Sequence, residues 1–149
     1  MAVKGLHFSR TLKAPRALAF KAWTDPKMVQ QWWGPKHFTN PVCEMDVRPG
    51  GQIAITMRGP DGTDYAMAGE FKEILEPERL QFIAWVDQAG KRVLETLNTV
   101  TFEEKDGVTV MTLWVKVQIA TDEAAPMLAG MKEGWSGSLD KLVDFFAAS

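Results

Sequence analysis

The end of the chain constrains its fold more than any other stretch. Met127, Leu128, Met131, Trp135, Leu139, Leu142, Val143 and Phe146 recur at three- and four-residue steps, the spacing of one face of an α-helix. That pattern predicts a helix over about residues 122–147, capped by Thr121, with Glu123 and Glu133 on its polar side. A helix so long, and so apolar along one stripe, is not stable by itself in water. It needs one broad apolar surface to lie on.

The middle of the chain supplies a sheet of the right kind. Cys43, Met45 and Val47 alternate with Glu44 and Asp46 over residues 42–47, a period of two that buries one face of a strand. Ile53, Ile55 and Met57 continue the pattern after the Pro49-Gly50-Gly51 turn. Pro60-Asp61-Gly62 turns the chain into a strand whose inward face is Tyr65, Met67, Gly69 and Phe71. Gly69 inside that strand suggests a bend or bulge, as a wrapping sheet requires. Leu80, Phe82, Ala84 and Val86 form the next face, between the Glu76-Pro77-Glu78 turn and a loop at Gln88-Ala89-Gly90. Asn98, Val100 and Phe102 lead to Asp106-Gly107, a hairpin signal, and Met111, Leu113, Val115 and Val117 complete the last strand. Consecutive strands on short turns make an antiparallel meander.

Ahead of this meander, Leu6 to Lys13 reads as a first strand. Ala14-Pro15 opens a helix with proline at its first position, and Leu18, Ala19, Ala22 and Trp23 give it an apolar stripe. Asp25 caps a second, short helix over 27–32, which Gly34-Pro35 stops. The expectation is a single α+β domain over residues 1–149, with a curved antiparallel sheet of seven strands wrapped around a long C-terminal helix.

Composition narrows the function classes. The chain has 149 residues, with 17 basic and 19 acidic side chains and a net charge of −2. That balance argues against nucleic-acid binding, which needs a basic surface. No stretch approaches the roughly 20 apolar residues of a membrane-spanning helix. The N-terminal Met1 to Gly5 shows no secretory signature. One cysteine, Cys43, permits no intrachain disulfide and suits a reducing cytoplasm. No Gly-x-Gly-x-x-Gly or Walker loop and no Cys-x-x-Cys is present, and His7 and His37 have no partner at metal-ligand spacing. No metal or cofactor is expected.

Six tryptophans and eight methionines are many for this length. Large, adaptable apolar side chains suit an irregular cavity, though they serve equally well to fill an ordinary core. If the helix grips the sheet over a gap, the inward parity of the strands predicts the lining: Met45, Ile55, Met57, Tyr65, Met67, Phe82 and Asn98. The helix adds Met127, Met131 and Trp135, four apart on one stripe. Trp33 and Phe38 flank the entrance, and Gly69, Ala84 and Gly130 are small where filling would be needed. Asn98 and the Tyr65 hydroxyl are the polar exceptions, each able to orient a ligand or to be satisfied locally. No pair of carboxylates falls on the inward parity, since Glu44, Asp46 and Glu70 point outward.

A run of short motifs carries a family resemblance. Ala22-Trp23-Thr24-Asp25-Pro26, Trp32-Trp33-Gly34-Pro35, Arg48-Pro49-Gly50-Gly51 and Met57-Arg58-Gly59-Pro60-Asp61-Gly62 are followed by Glu76-Pro77-Glu78-Arg79-Leu80 and by Gly134-Trp135-Ser136-Gly137-Ser138-Leu139-Asp140-Lys141-Leu142. In this order they resemble bacterial SRPBCC proteins named as homologues of the activator of the ninety-kilodalton heat-shock-protein ATPase, within the START-like, helix-grip superfamily. The resemblance covers about residues 6–147. It implies the same fold: a seven-stranded sheet, two short helices and a gripping helix. Relatives tend to be apolar at the place of Asn98, so this residue departs from the pattern.

Fold does not decide function among such proteins. Three readings stay open. The first is binding of a small hydrophobic or aromatic molecule between sheet and helix. The second is a cyclase- or hydrolase-like enzyme on an aromatic polyketide-like substrate, with Asn98, Tyr65 and His37 as its candidate groups. The third is a chaperone-interaction domain of the ATPase-activator type.

Overall fold

The computed structural model describes residues 5–147. The reading of the N-terminus as lacking a leader rests largely on Met1 to Lys4, which lie outside the described residues. Strand β1 (Gly5–Leu12) leads into helices α1 (Arg16–Thr24) and α2 (Pro26–Trp32). Six strands follow: β2 (Thr39–Met45), β3 (Gln52–Arg58), β4 (Asp64–Leu75), β5 (Arg79–Gln88), β6 (Lys91–Lys105) and β7 (Val108–Ala120). A single turn of 3₁₀ helix, Asp122–Ala124, precedes the long helix α3 (Ala125–Ala147).

All seven strands pair antiparallel in one sheet, in the order β1-β7-β6-β5-β4-β3-β2. The expected α+β helix-grip architecture is therefore the one observed. Two of the hairpins turn on two residues of positive φ, Ala89-Gly90 and Asp106-Gly107, the conformation whose twist matches that of the flanking strands. Register shifts interrupt β2 after Thr39, β4 after Phe71, β5 after Val86 and β6 after Glu95. Such irregularities bend a sheet, and here they let it curl around α3.

Leu12, Phe20, Trp32, Phe71, Phe102, Met111 and Leu113 are fully buried, together with Leu139 and Leu142 of α3. Buried polar groups hold the two short helices in this core. The Trp32 indole donates to the carbonyl of Ala22 at 2.9 Å, and the Trp23 indole lies 3.2 Å from the sulfur of Met111. The Asp25 carboxylate accepts from the Lys27 amide at 3.0 Å, the cap that its position before Pro26 predicts.

Several local expectations need correction. Pro15 precedes α1 as its cap residue, with extended ψ of 155°, and is not the first helical residue. Strand β2 runs over 39–45, not 42–47. Its pairing slips around Pro41, which has no N–H to give the ladder, and Val47 lies exposed beyond its end. Gly69 pairs regularly with Ile53 and Ala84, while the bulge comes at Lys72. Glycine is required at 69 for a different reason: a Cβ there would stand 2.5 Å from the carbonyl oxygen of Ile83. Thr121 precedes the 3₁₀ turn without a side-chain capping bond. Its hydroxyl instead reaches the Val93 carbonyl at 3.5 Å.

Candidate ligand site

The concave face meets α3 at a cluster of aromatic rings. Trp135 stacks on Trp23 with centroids 6.1 Å apart and stands edge-on to Trp33 at 5.3 Å. Phe82 closes the other side, 6.3 Å from both Trp23 and Trp33. Each ring arrives from a different element: α1, the turn after α2, β5 and α3. The strand residues alternate inward by parity, and Trp23 lies on the buried stripe of α1 with Ala19, Phe20 and Ala22.

Between these rings and β2–β4 lies a void of about 10 Å³, lined by Trp23, Trp33, Met45, Ile53, Ile55, Met67, Phe71 and Phe82. Pockets that hold drug-sized ligands span roughly 300–1,000 Å³. The interior is therefore closed, with indole rings occupying the space that an open helix-grip cavity would leave. A larger concavity of about 520 Å³ lies on the surface, where Pro35 and Lys36 face Gly130, Gly134 and Gly137 of α3. It is wide open to solvent.

Asn98 is wholly buried on β6. Its amide nitrogen reaches the Thr96 hydroxyl at 3.1 Å and the carbonyl oxygens of Phe82 and Thr96 at 3.3 and 3.4 Å. Its side-chain oxygen has no hydrogen-bond partner. Turning the amide over would set oxygen against two carbonyls, so this orientation is the better of the two.

The loop after α2 is held from below by α3. The Lys141 ammonium lies 3.2 Å from the carbonyl oxygens of both Trp33 and Gly34, 3.3 Å from that of Pro35 and 3.4 Å from that of Phe38. Partial burial lowers its pKa below the usual 10.5. The Ser138 hydroxyl donates to the Trp32 carbonyl at 3.1 Å, and Asn40 donates to that of Trp33 at 2.9 Å. Arg10 of β1 donates to Asp140 at 3.3 Å and to Ser136 at 3.0 Å. Much of the motif over 134–142 therefore fastens the last helix to β1 and to the corner at residues 32–38.

The residues expected at the site divide into four groups. Trp33, Met45, Ile55, Met67 and Phe82 line the void. Asn98 and Trp135 do not line it, but each touches a residue that does, Asn98 pairing with Phe82 across the β5–β6 ladder and Trp135 meeting Trp33. Phe38, Met57 and Tyr65 gather at the mouth, where the Phe38 and Tyr65 rings lie 6.0 Å apart and a Cβ on Gly34 would meet the Met57 sulfur at 3.1 Å. Tyr65 has the inward parity but is 49% exposed, because nothing covers the tip of the β3–β4 hairpin. Met127 does not reach the aromatic cluster. It packs with Leu128 on a second, smaller cluster made by Val93, Leu94 and Ala124, and Met131 touches both clusters. Gly130 is exposed on the outer flank of α3, with nothing within 4 Å of a built Cβ, so it leaves no gap inside.

Sequence reasoning missed Trp23, Ile53 and Phe71 as lining residues. Ile53 and Phe71 carried the signal already, being on the same inward parity as residues that were chosen. The groups proposed for catalysis differ in setting: Asn98 is buried, whereas Tyr65 and His37 are exposed. Among the described residues no three His, Cys, Asp or Glu side chains gather as metal ligands, and no helix is long and apolar enough to cross a membrane.

Comparison with known proteins agrees with this architecture. Protein CV1439 of Chromobacterium violaceum superposes with a TM-score of 0.84 at 24% identity, covering 96% of each chain. A protein of Arthrobacter aurescens gives 0.83 at 25%, over 97% of this chain and 87% of its own. Protein Ms6760 of Mycobacterium smegmatis gives 0.80 at 28%, over 97% and 91%. No curated protein matches. The family model described as activator of Hsp90 ATPase homolog 1-like protein matches residues 13–147, nearly the whole length, and the chain belongs to that family.

Proposed function

We propose that this protein binds a small, neutral, planar hydrophobic molecule between the concave sheet and α3, with the Asn98 side-chain oxygen as its single polar anchor. The observation that carries this reading is the unpartnered Asn98 oxygen, buried next to a cluster of aromatic rings. A buried carbonyl without a donor costs about 1–3 kcal/mol, and a core that served only to pack would do better with leucine there. A ligand bringing one hydroxyl or N–H would satisfy it, and Trp23, Trp33, Phe82 and Trp135 would stack on its ring. The void of about 10 Å³ is too small for such a molecule, so binding must displace Trp135 or its neighbours.

2-Naphthol is a suitable probe, because it pairs a flat apolar ring with one donor. Titration followed by tryptophan emission and by calorimetry should give saturable one-to-one binding and a concentration-dependent rise in Tm. Naphthalene should bind about tenfold more weakly, the worth of one buried hydrogen bond. Absence of any saturable response to either compound would remove this reading and leave a fully packed domain. The chaperone reading would be favoured instead by nucleotide-dependent capture of an Hsp90-type ATPase, and the enzyme reading by turnover that is lost on replacing Asn98, Tyr65 or His37.

A further inference from the structure

Helix α3 is built in two unequal halves. Its buried residues are Ser138, Leu139, Leu142 and Phe146, all in the second half. Its side-chain hydrogen bonds to the rest of the fold come from Ser136, Ser138, Asp140 and Lys141. From Ala125 to Gly137 no residue is fully buried. This first half rests on partly exposed Met127, Leu128 and Met131 over a smaller cluster, and reaches the main core through Met131 and Trp135.

The glycines fall in the weaker half or at its end. Gly137 has a packing reason, since a Cβ there would come within 3.4 Å of the Lys36 amide nitrogen. Gly134 and Gly130 have none. A Cβ at 134 would make an ordinary 3.7 Å contact with Pro35, and one at 130 would meet nothing within 4 Å. Neither has the positive φ that would call for glycine. What remains is their effect on the helix itself, each making it about fivefold easier to unwind than alanine would. The flank that carries them borders the open groove of about 520 Å³, so bending there meets no packed neighbour.

We infer that the first half of α3, residues 125–135, unwinds as a unit while the second half stays fastened, withdrawing Trp135 from Trp23 and Trp33. This is the entry route to the closed aromatic interior, and in that role it rests on the ligand-binding reading above. The opening itself belongs to the free protein and can be measured without a ligand.

Hydrogen exchange of the free chain tests it. Amides 128–135 should exchange at least about 100-fold faster than amides 140–146. The double variant Gly130→Ala/Gly134→Ala should slow exchange in the first half by about 25-fold, two helix substitutions of about fivefold each, and slow the second half by no more than that, since amides there exchange only when the whole fold opens. Equal protection in both halves overturns the inference. So does first-half exchange that the double variant fails to slow. Stopped-flow mixing with 2-naphthol then reads the gating role: association should slow by a similar factor in the variant. If the exchange results hold and 2-naphthol does not bind at all, the opening stands and the ligand reading falls. Binding at an unchanged association rate would show that entry takes another route and overturn the gate.

Discussion

The side-chain nitrogen of Asn98 lies 3.3 Å from the carbonyl oxygen of Phe82 on the neighbouring strand, while the oxygen of the same amide meets no donor. The residue is thus half satisfied in a place with no access to water. Asn98→Leu removes both ends together, and loss of a whole unsatisfied group of similar size is neutral or stabilising. Urea denaturation should show the variant equal to the parent or about 1 kcal/mol more stable. Asn98→Asp should cost several kcal/mol, because it buries a carboxylate against carbonyl oxygens. A large loss of stability in Asn98→Leu would mean that the amide is a structural bridge, with an internal water on its oxygen, and would remove the motive for a ligand.

Cys43 offers a check that needs no ligand. Burial, with a further contribution from the Asp25 carboxylate, raises its thiol pKa to about 11. At pH 8 the thiolate fraction is then about 100-fold below that of a thiol at 9.0. Alkylation by iodoacetamide should be slower than that of a free cysteine by at least this factor. The folded pKa is raised, so the stability this thiol contributes is intact below pH 9 and declines as pH climbs toward 11. A parent-minus-Cys43→Ala difference that stays flat across that window would show the thiol to be solvated.

Much of the fold was legible because period-two and period-3.6 patterns register one-sided burial, and this chain buries one face of almost every element. The strand faces through Ile53, Ile55, Phe82, Val100 and Leu113 are inward as read. Parity was a weaker guide at the margins. It assigns Tyr65 and Met127 a direction but not a cover, and each lies where the body of the domain ends. The choice between an open cavity and a filled one was not legible either. It depends on whether four rings from four separate elements meet, and no local pattern carries that information. Trp23 illustrates the point: its place in the α1 stripe says that it is buried, but nothing near it in the chain says that it stacks on Trp135.

The grip of Lys141 on the loop can be read in the same way. Its ammonium has three N–H donors for four carbonyl oxygens, those of Trp33, Gly34, Pro35 and Phe38. Together with the Ser138 bond to Trp32, these tie the anchored half of α3 to the corner that carries Trp33 and Phe38. Lys141→Met keeps most of the apolar stem and removes the charge. Hydrogen bonds to a charged group are worth about 1.5–3 kcal/mol, less where solvent reaches them, so a loss of about 1–2 kcal/mol is expected at neutral pH. Its pH dependence tests the balance of forces on the ammonium. Burial depresses the folded pKa below 10.5, so between the two values the unfolded chain holds the extra proton and stability rises with pH. The advantage of the parent over Lys141→Met should therefore widen as pH rises toward 10.5 and level off above it. An advantage that shrinks over the same interval would show that the four carbonyls outweigh burial and raise the pKa. A double-mutant cycle with Ser138→Ala would then separate the two fastenings, with a coupling energy near zero if each holds the loop independently.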